Sequence, residues 1–325
     1  MTHAPTDAIL LMAHGSPADA SEISEFLTSV RRGRPAPPAV VAAYEARYRA
    51  IGGRSPMTDV TRRIGDALAR RLERPVFVGT RHGTPTLSET LERIRHAGVR
   101  HLSAICLTPY AGRFTTGAYQ SALTSALNEE TDGPPHIDVV TSWCREPAFL
   151  AGLTAAAKRG LEAFPLRKRD GVKLFFSAHS LPATVLEDGD PYPDQIAQTA
   201  AYVAAQLGLS EDRWQLAYQS APDRVSTPWL GPKLSDAVLA LSQRPDKGPA
   251  ATTEPSALVV PIGFILDNLE TLYDLDVDLQ ATARSAGIQL ERAPALNDHP
   301  LLIQALAGAV ERTQRRGSDY HPKET

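Results

Sequence analysis

The chain has 325 residues, long for one compact domain and natural for two of ordinary size. Its 34 Lys and Arg against 37 Asp and Glu show no general attraction for nucleic acid or an anionic membrane surface. No apolar run approaches the roughly eighteen residues of a transmembrane helix, and two cysteines, Cys106 and Cys144, are too few for an iron–sulfur cluster or a disulfide framework. The opening MTHAPTDAILLMAHGSP lacks a basic leader and a long apolar core, so a cytoplasmic protein is expected.

In chain order, residues 8–13 (AILLMA) predict a first strand that ends in the turn His14-Gly15-Ser16-Pro17, with a helix from about 18 to 30. Then come a helix over 56–73, a strand over 76–80, a helix over 87–97, a strand over 101–108 and a helix over 116–128. Such alternation argues for βαβ units. Residues 147–164 read as a long helix bridging two halves, followed by a strand opening at Lys173 in KLFFSAHSLP. Helices over 195–207 and 234–241 flank a strand over 215–219, and ALVVPIGF reads as a further buried strand. By composition the loop 243–255 is the least ordered interior segment, and the polar stretch from Arg312 onward is expected to fray.

Two strand ends resemble each other. ILLMAHGSP and LFFSAHSLP each deliver Ala-His from a strand into a small turn closed by Pro, with His14 and His179 165 residues apart. The strands running into Pro109 and Pro261 repeat a similar design at a separation of 152. This is a weak internal duplication: two halves, each a parallel sheet wrapped by helices, with strand ends directed at one cleft.

Two groups of side chains suggest chemistry. In PIGFILDNLETLYDLDVD, Asp267, Glu270, Asp274 and Asp278 recur at steps of three and four, which on a helix places four carboxylates along one face. The face is either solvated or compensated by a cation. Paired with Glu270, the imidazole of His179 would take up protons or hold a divalent metal near neutral pH. Basic groups gather earlier, in Arg31-Arg32-Gly33-Arg34 and in Arg47-Tyr48 before IGGRSP. They read as helix-end cations with the cap Ser55, or as guanidiniums, a phenol and a hydroxyl that clasp the carboxylates of an acidic ligand.

The set MAHGSP, RRGR, RYRAIGGRSP, FSAHSLP, GDPYPDQ, PWLGP and PIGFILDNLETLYDLD, in that order from about Ile9 to Ala309, resembles the ferrochelatases, with the spacing of the soluble bacterial type that acts on coproporphyrin III. The resemblance implies an α/β fold of the class II chelatase kind, with two Rossmann-like halves around a porphyrin cleft. On that reading residues 1–147 form the first half, 148–310 the second with the metal-site pair, and 311–325 a polar tail. The implied catalytic pair is His179 and Glu270, with Asp274 and Asp278 continuing the metal line outward. Arg31, Arg47, Tyr48, Ser55 and Tyr119 match positions that hold propionates or line the cleft. His82 matches a second cleft histidine, and Trp229 packs on the macrocycle or in the core. Ferrous iron is implied as a substrate, with no prosthetic group, and the protein as a monomer that neither inserts into a membrane nor binds nucleic acid and can hand its product to a downstream haem-pathway enzyme. His14 departs from the pattern, since the soluble family usually shows Tyr there, and it is either an axial ligand or a packing variant. It also resembles the small cobaltochelatases of the sirohydrochlorin branch, which keeps open a cobalto- or ferrochelatase acting on sirohydrochlorin or another tetrapyrrole. A non-catalytic haem carrier using His14 and His179 is the alternative of another class.

Overall fold

The structure, a computed structural model, describes residues 7–128, 135–222, 227–243 and 254–316. Most of the loop 243–255 and the end of the tail lie outside the described residues. The chain divides into two compact units, Met1–Phe149 with Asn297–Thr325, and Leu150–Leu296.

In the first unit β1 (Asp7–Ala13), β2 (Val76–Thr80), β3 (His101–Cys106) and β4 (His136–Val139) form a parallel sheet in the order β2-β1-β3-β4. In the second, β5 (Lys173–His179), β6 (Trp214–Gln219), β7 (Ser256–Pro261) and β8 (Gln289–Arg292) form another in the order β6-β5-β7-β8. The second order repeats the first, which gives the duplication read from the Ala-His strand ends its structural form. In both sheets the chain reverses direction of growth at the first strand, the topological switch point beside which ligands of open α/β sheets bind. His14 follows β1 directly and His179 is the last residue of β5.

The strands are apolar because both faces are covered, as parallel sheets require. On the first sheet, Leu10 and Met12 of β1 pack with Leu91, Ile94, Leu123 and Leu127 from the helices Leu87–His96 and Thr116–Asn128. On the second, Phe175 and Val259 pack with Val238, Leu275 and Leu279.

Several elements escape the sequence reading, among them one longer helix and two strands. The helix Pro38–Ala50 starts with Pro at its first position, where a missing N–H costs nothing, so the Pro-rich run opens a helix. The short strands β4 (HIDV) and β8 (QLER) sit at sheet edges, where at least half their side chains are polar and four residues leave little room for alternation to show. The predicted helix over 18–30 is shorter, a 3-10 turn at Ala20–Glu22 followed by Ile23–Val30.

The end of the chain also differs from expectation. The helix Pro300–Arg316 continues into the stretch expected to fray, and it groups with the first unit, not with residues 148–296. Its polar anchors explain this: Gln314 donates to Ser103 Oγ at 2.9 Å and accepts from Arg74 at 2.9 Å, Arg312 pairs with Glu146, and just before the helix Asp298 takes Arg63 at 2.6 Å.

Candidate active site

In the second unit the structure brings His179 and Glu270 together, with His179 Nε2 3.6 Å from Glu270 Oε1. Both side chains keep about a third of their surface accessible, 35% and 37%, so the pair is open to an incoming atom. The other ring nitrogen, Nδ1, lies against the Ser180 carbonyl. A carbonyl can only accept, so Nδ1 carries the proton and Nε2 presents its lone pair toward Glu270. Burial alone would favour the neutral ring. The charge of Glu270 and its hydrogen bond, the Ser180 carbonyl and the charge of Asp274 outweigh it and raise the His179 pKa above its ordinary value. The pair is thus a base that also offers a nitrogen and an oxygen to a cation.

Several contacts hold the histidine. Tyr192, from the GDPYPDQ motif, donates to the His179 carbonyl at 2.8 Å. The PWLGP motif works through its backbone: Leu230 N–H donates to Leu181 O and Ala183 N–H to Pro228 O, both at 2.8 Å, and Leu230 O accepts from Ser180 Oγ at 2.7 Å. These bonds pin the turn after His179, and Trp229 itself is half-buried. Gly263 allows β7 to leave close by, since a Cβ there would stand 2.8 Å from Ala178 Cα and Cβ. Phe264 lies beside the imidazole, with ring centroids 5.9 Å apart.

The acidic ladder is built differently from the expected α-helix. Glu270–Leu279 is a π-helix, whose i→i+5 bonds include Gln280 N–H to Leu275 O. Each turn takes more residues than an α-turn, so the spacing of four keeps Glu270, Asp274 and Asp278 near one face. Asp267 precedes the helix and does not belong to the ladder: it pairs with Arg292 at 3.0 Å. Arg292 also grips Asp276 through two bonds, at 2.6 and 2.8 Å. One guanidinium from β8 thereby ties the approach to the π-helix to its middle. Ser220, in a left-handed conformation (φ 59°) just after β6, donates to Asp274 Oδ2 at 2.8 Å. Asp278 is exposed. Among the described residues no group of three or more His, Cys, Asp or Glu side chains is arranged to hold a metal. His179 and Glu270 form the close pair, with Asp274 near enough for its charge to act on the imidazole and Asp278 further along the helix.

In the first unit His14 is half-buried and directs its Nδ1 at Gly15 O, 3.1 Å away. Its ring lies 5.0 Å from that of His82 and 6.0 Å from Phe26. His82 is buried and bonds Ser29 Oγ at 2.9 Å, and burial, with the nearby His14 and Arg81, lowers its pKa to about 3. Tyr48 is buried, with its hydroxyl 2.8 Å from Ser16 Oγ, and burial raises its pKa. Gly15 is obligatory: at φ 87°, a Cβ would fall on the His82 carbonyl. Arg31 and Arg47 are exposed at the ends of their helices.

Tyr119 and Ser55, like Tyr48 and His82, are packed. Tyr119 is a core residue, 7% exposed among the apolar side chains beside β1 and β3. Ser55 is 3% exposed, and its Oγ accepts from Met57 N–H at 3.3 Å, a capping role. The sequence reading missed Ser16, Ser29, Ser220, Tyr192 and Arg292. Ser16, Tyr192 and the motif around His82 could have been followed from the motifs they occupy. Ser29, Ser220 and Arg292 had no local signal, because their partners are 53, 54 and at least 16 residues away.

The ferrochelatase family model matches residues 6–314. The chain is 35% identical over 311 residues to a ferrochelatase of Deinococcus radiodurans, covering 94% of this chain and 95% of that one. It is 32% identical over 323 residues to the coproporphyrin III ferrochelatase of Geobacillus kaustophilus, covering 97% and 98%. Among solved structures, SirB from Bacillus subtilis with Fe3+ matches in fold, with a TM-score of 0.61 at 10% identity over 97% of this chain and 100% of that one. With a whole-chain family match and relatives of this identity along nearly their full lengths, the chain belongs to the ferrochelatase family, enzymes that insert a metal ion into a porphyrin.

Proposed function

We propose that the protein inserts ferrous iron into coproporphyrin III. The observation that carries this reading is the His179–Glu270 pair, with the proton fixed on Nδ1 and the lone pair of Nε2 3.6 Å from a carboxylate oxygen. Metallation removes two N–H protons from a ring whose lone pairs lie in its plane, so a base and a cation site at one point are what the reaction needs. His179 accepts a pyrrole proton at Nε2, Glu270 stabilises the imidazolium formed, and the pair contacts the metal as it arrives. Asp274 and Asp278 carry metal toward that point or protons away from it.

The choice of coproporphyrin III is supported by the name of the Geobacillus relative and by the exposed Arg31 and Arg47, suited to a substrate with four carboxylates. Iron is a substrate in this scheme and no prosthetic group takes part. Burial raises the thiol pKa of both Cys106, to about 12, and Cys144, which makes them poor metal ligands. The enzyme works as a cytoplasmic monomer and passes its product to a later enzyme of haem synthesis. Among the described residues no helix is long and apolar enough to cross a membrane.

Anaerobic turnover with ferrous iron tests the proposal, comparing coproporphyrin III with protoporphyrin IX. Higher kcat/KM for coproporphyrin III supports it, and preference for protoporphyrin IX or for sirohydrochlorin overturns the substrate assignment. Stoichiometric haem capture without turnover would instead make the protein a carrier.

A further inference from the structure

In the second unit, three buried polar atoms beside the active pair meet no hydrogen-bond partner among the described residues: Ser177 Oγ and both amide atoms of Gln219, Oε1 and Nε2. Ser177 is fully buried and Gln219 is 5% exposed, so neither side chain offers a surface to porphyrin or metal. Strand register places them next to the base. Gln219 ends β6 opposite His179, and Ser177 stands two residues before His179, opposite Ala217. Side chains alternate across a strand, so Ser177, His179 and Gln219 share the sheet face of Phe175 and Ala217. That face is covered by Leu275 and Leu279 of the π-helix Glu270–Leu279.

The backbones of the same two residues already hold both members of the pair. Ser177 O accepts from the N–H groups of Ile262 and Gly263 at 2.9 and 3.1 Å, at the start of the segment that leads to Glu270. Gln219 O accepts from Ser180 N–H at 2.8 Å, and Ser180 O is the acceptor that fixes the His179 tautomer. The next residue, Ser220, bonds Asp274 of the π-helix at 2.8 Å.

A buried hydroxyl and a buried carboxamide without partners lose the hydrogen bonds they had in water, and apolar side chains of similar shape would cost less. Water is the group that suits them. It both donates and accepts, and internal waters typically make about three hydrogen bonds to buried groups of this kind. Strand spacing and rise set the two backbones roughly 8 Å apart, a gap that a glutamine and one water span. A metal or an organic anion would need charge, or more donors than one amide and one hydroxyl supply.

We infer that Ser177 and Gln219 bind an ordered water between the second sheet and the π-helix, and that this seat makes them positioning residues for metal insertion: it holds the helix carrying Glu270 at its working distance from the strand carrying His179. The inference rests on the assignment of His179 and Glu270 as the insertion pair.

A double-mutant cycle on the full-length protein tests it, with Ser177→Ala, Gln219→Met and the two combined. Each single variant leaves the other polar group unmet and should lower the denaturant midpoint. The double variant removes both needs and should be at least as stable as the better single variant. Turnover should not recover with it: kcat stays about 10–100-fold below wild type, the scale of a misplaced reacting group, while porphyrin KM is unchanged. Additive losses of stability, or wild-type kcat in the stable double variant, would overturn the inference. Glu270→Gln measured alongside tells two failures apart, since wild-type kcat there removes the insertion pair itself, and wild-type kcat in the double variant alone removes the seat. If the double variant does not fold, a high-resolution crystal structure of the wild type decides. Water within hydrogen-bond distance of both side chains supports the seat, and side chains bonded to protein groups with no water between them overturn it.

Discussion

His14 and His179 make the same hydrogen bond 165 residues apart: each turns Nδ1 onto the carbonyl of the residue that follows it, Gly15 in one case and Ser180 in the other. Each also stands at the end of the first strand of its sheet, and the two sheets share one strand order. The duplication thus extends from topology to the tautomer of a single ring. What differs is the company each keeps. His179 has Glu270 at 3.6 Å, which raises its pKa, whereas His14 has the buried ring of His82 at 5.0 Å. One copy of the motif is paired with a carboxylate, and the other faces a neutral imidazole.

The acids should rank by distance from that base. Glu270→Gln should lower kcat by about 10²–10³, within the range for loss of a general acid–base partner. Asp274→Asn, which keeps a hydrogen-bond acceptor for Ser220, should act less. Asp278→Asn, exposed, should leave kcat nearly unchanged and mainly raise the iron concentration for half-maximal rate. His179→Ala should abolish insertion while porphyrin fluorescence still reports binding. Steady-state rates across an iron series check the order, and equal damage from Asp278→Asn and Glu270→Gln would make the far acid structural.

Much of this site is legible in the sequence, for a physical reason. Strands buried on both faces are near-continuous apolar runs, and the residue where such a run stops, His179 or His14, stands at the strand end where ligands bind. Spacing of four likewise puts Glu270, Asp274 and Asp278 on one face whether the helix is α or π. What spacing cannot show is where the helix begins, which cost the reading Asp267, placed in the ladder but lying before Glu270 and taken by Arg292. Burial of Tyr119 and Ser55 was equally hidden, since a phenol or hydroxyl in a motif has the same letter whether it meets ligand or core. Partners brought together by folding alone, such as Ser220 with Asp274, leave no trace in local pattern.

Arg292 should matter to both stability and turnover although it touches neither reactive group. Its side chain is 15% exposed and serves two carboxylates, Asp267 and Asp276, whose exposures are 22% and 34%. Arg292→Gln leaves both acids without their cation. Breaking a fully buried pair costs roughly 3–5 kcal/mol, and the partial exposure here reduces that to about 2–3 kcal/mol. Arg292→Lys keeps the charge but not the fork that grips Asp276 through two bonds, so it should fall between. Denaturant melts give the stability order, and kcat should follow it if the π-helix carrying Glu270 is held from β8. Wild-type kcat in a destabilised Arg292→Gln would separate the network from the active pair.

His82 makes a prediction about acid. Its folded pKa is lowered to about 3 from an ordinary value of 6.5, chiefly by burial. Above pH 6.5 the ring is neutral in both states and contributes nothing to pH dependence. Between 6.5 and about 3 the unfolded chain takes up a proton that the fold refuses, so stability falls with acid, with a limiting slope of about 1.4 kcal/mol per pH unit. His82→Gln removes this group and should flatten the curve over that window, even if it lowers stability at pH 7. Unfolding free energies from pH 7 to pH 4 test it, and parallel curves for the two proteins would mean that His82 is not a buried neutral ring.

The last prediction concerns His14, the position at which the resemblance implied Tyr. Nδ1 is committed to the Gly15 carbonyl, so the neutral ring carries its lone pair on Nε2, the arrangement of a metal-ligating histidine. Imidazole binds ferrous and ferric haem without first losing a proton, whereas a phenol must ionise to bind well. If His14 reaches the iron of the product, the complex should show a histidine-ligated spectrum and release product slowly. His14→Phe keeps a ring near Phe26 and His82 but offers no ligand. It should change the optical and paramagnetic resonance spectra of product-bound protein and speed release, with little effect on the Glu270-dependent proton step. His14→Tyr should restore an oxygen-ligated spectrum at alkaline pH, where the phenol ionises. Identical iron spectra for wild type and His14→Phe would leave His14 as part of the turn, held by Gly15 and stacked beside His82, with no place in the metal chemistry.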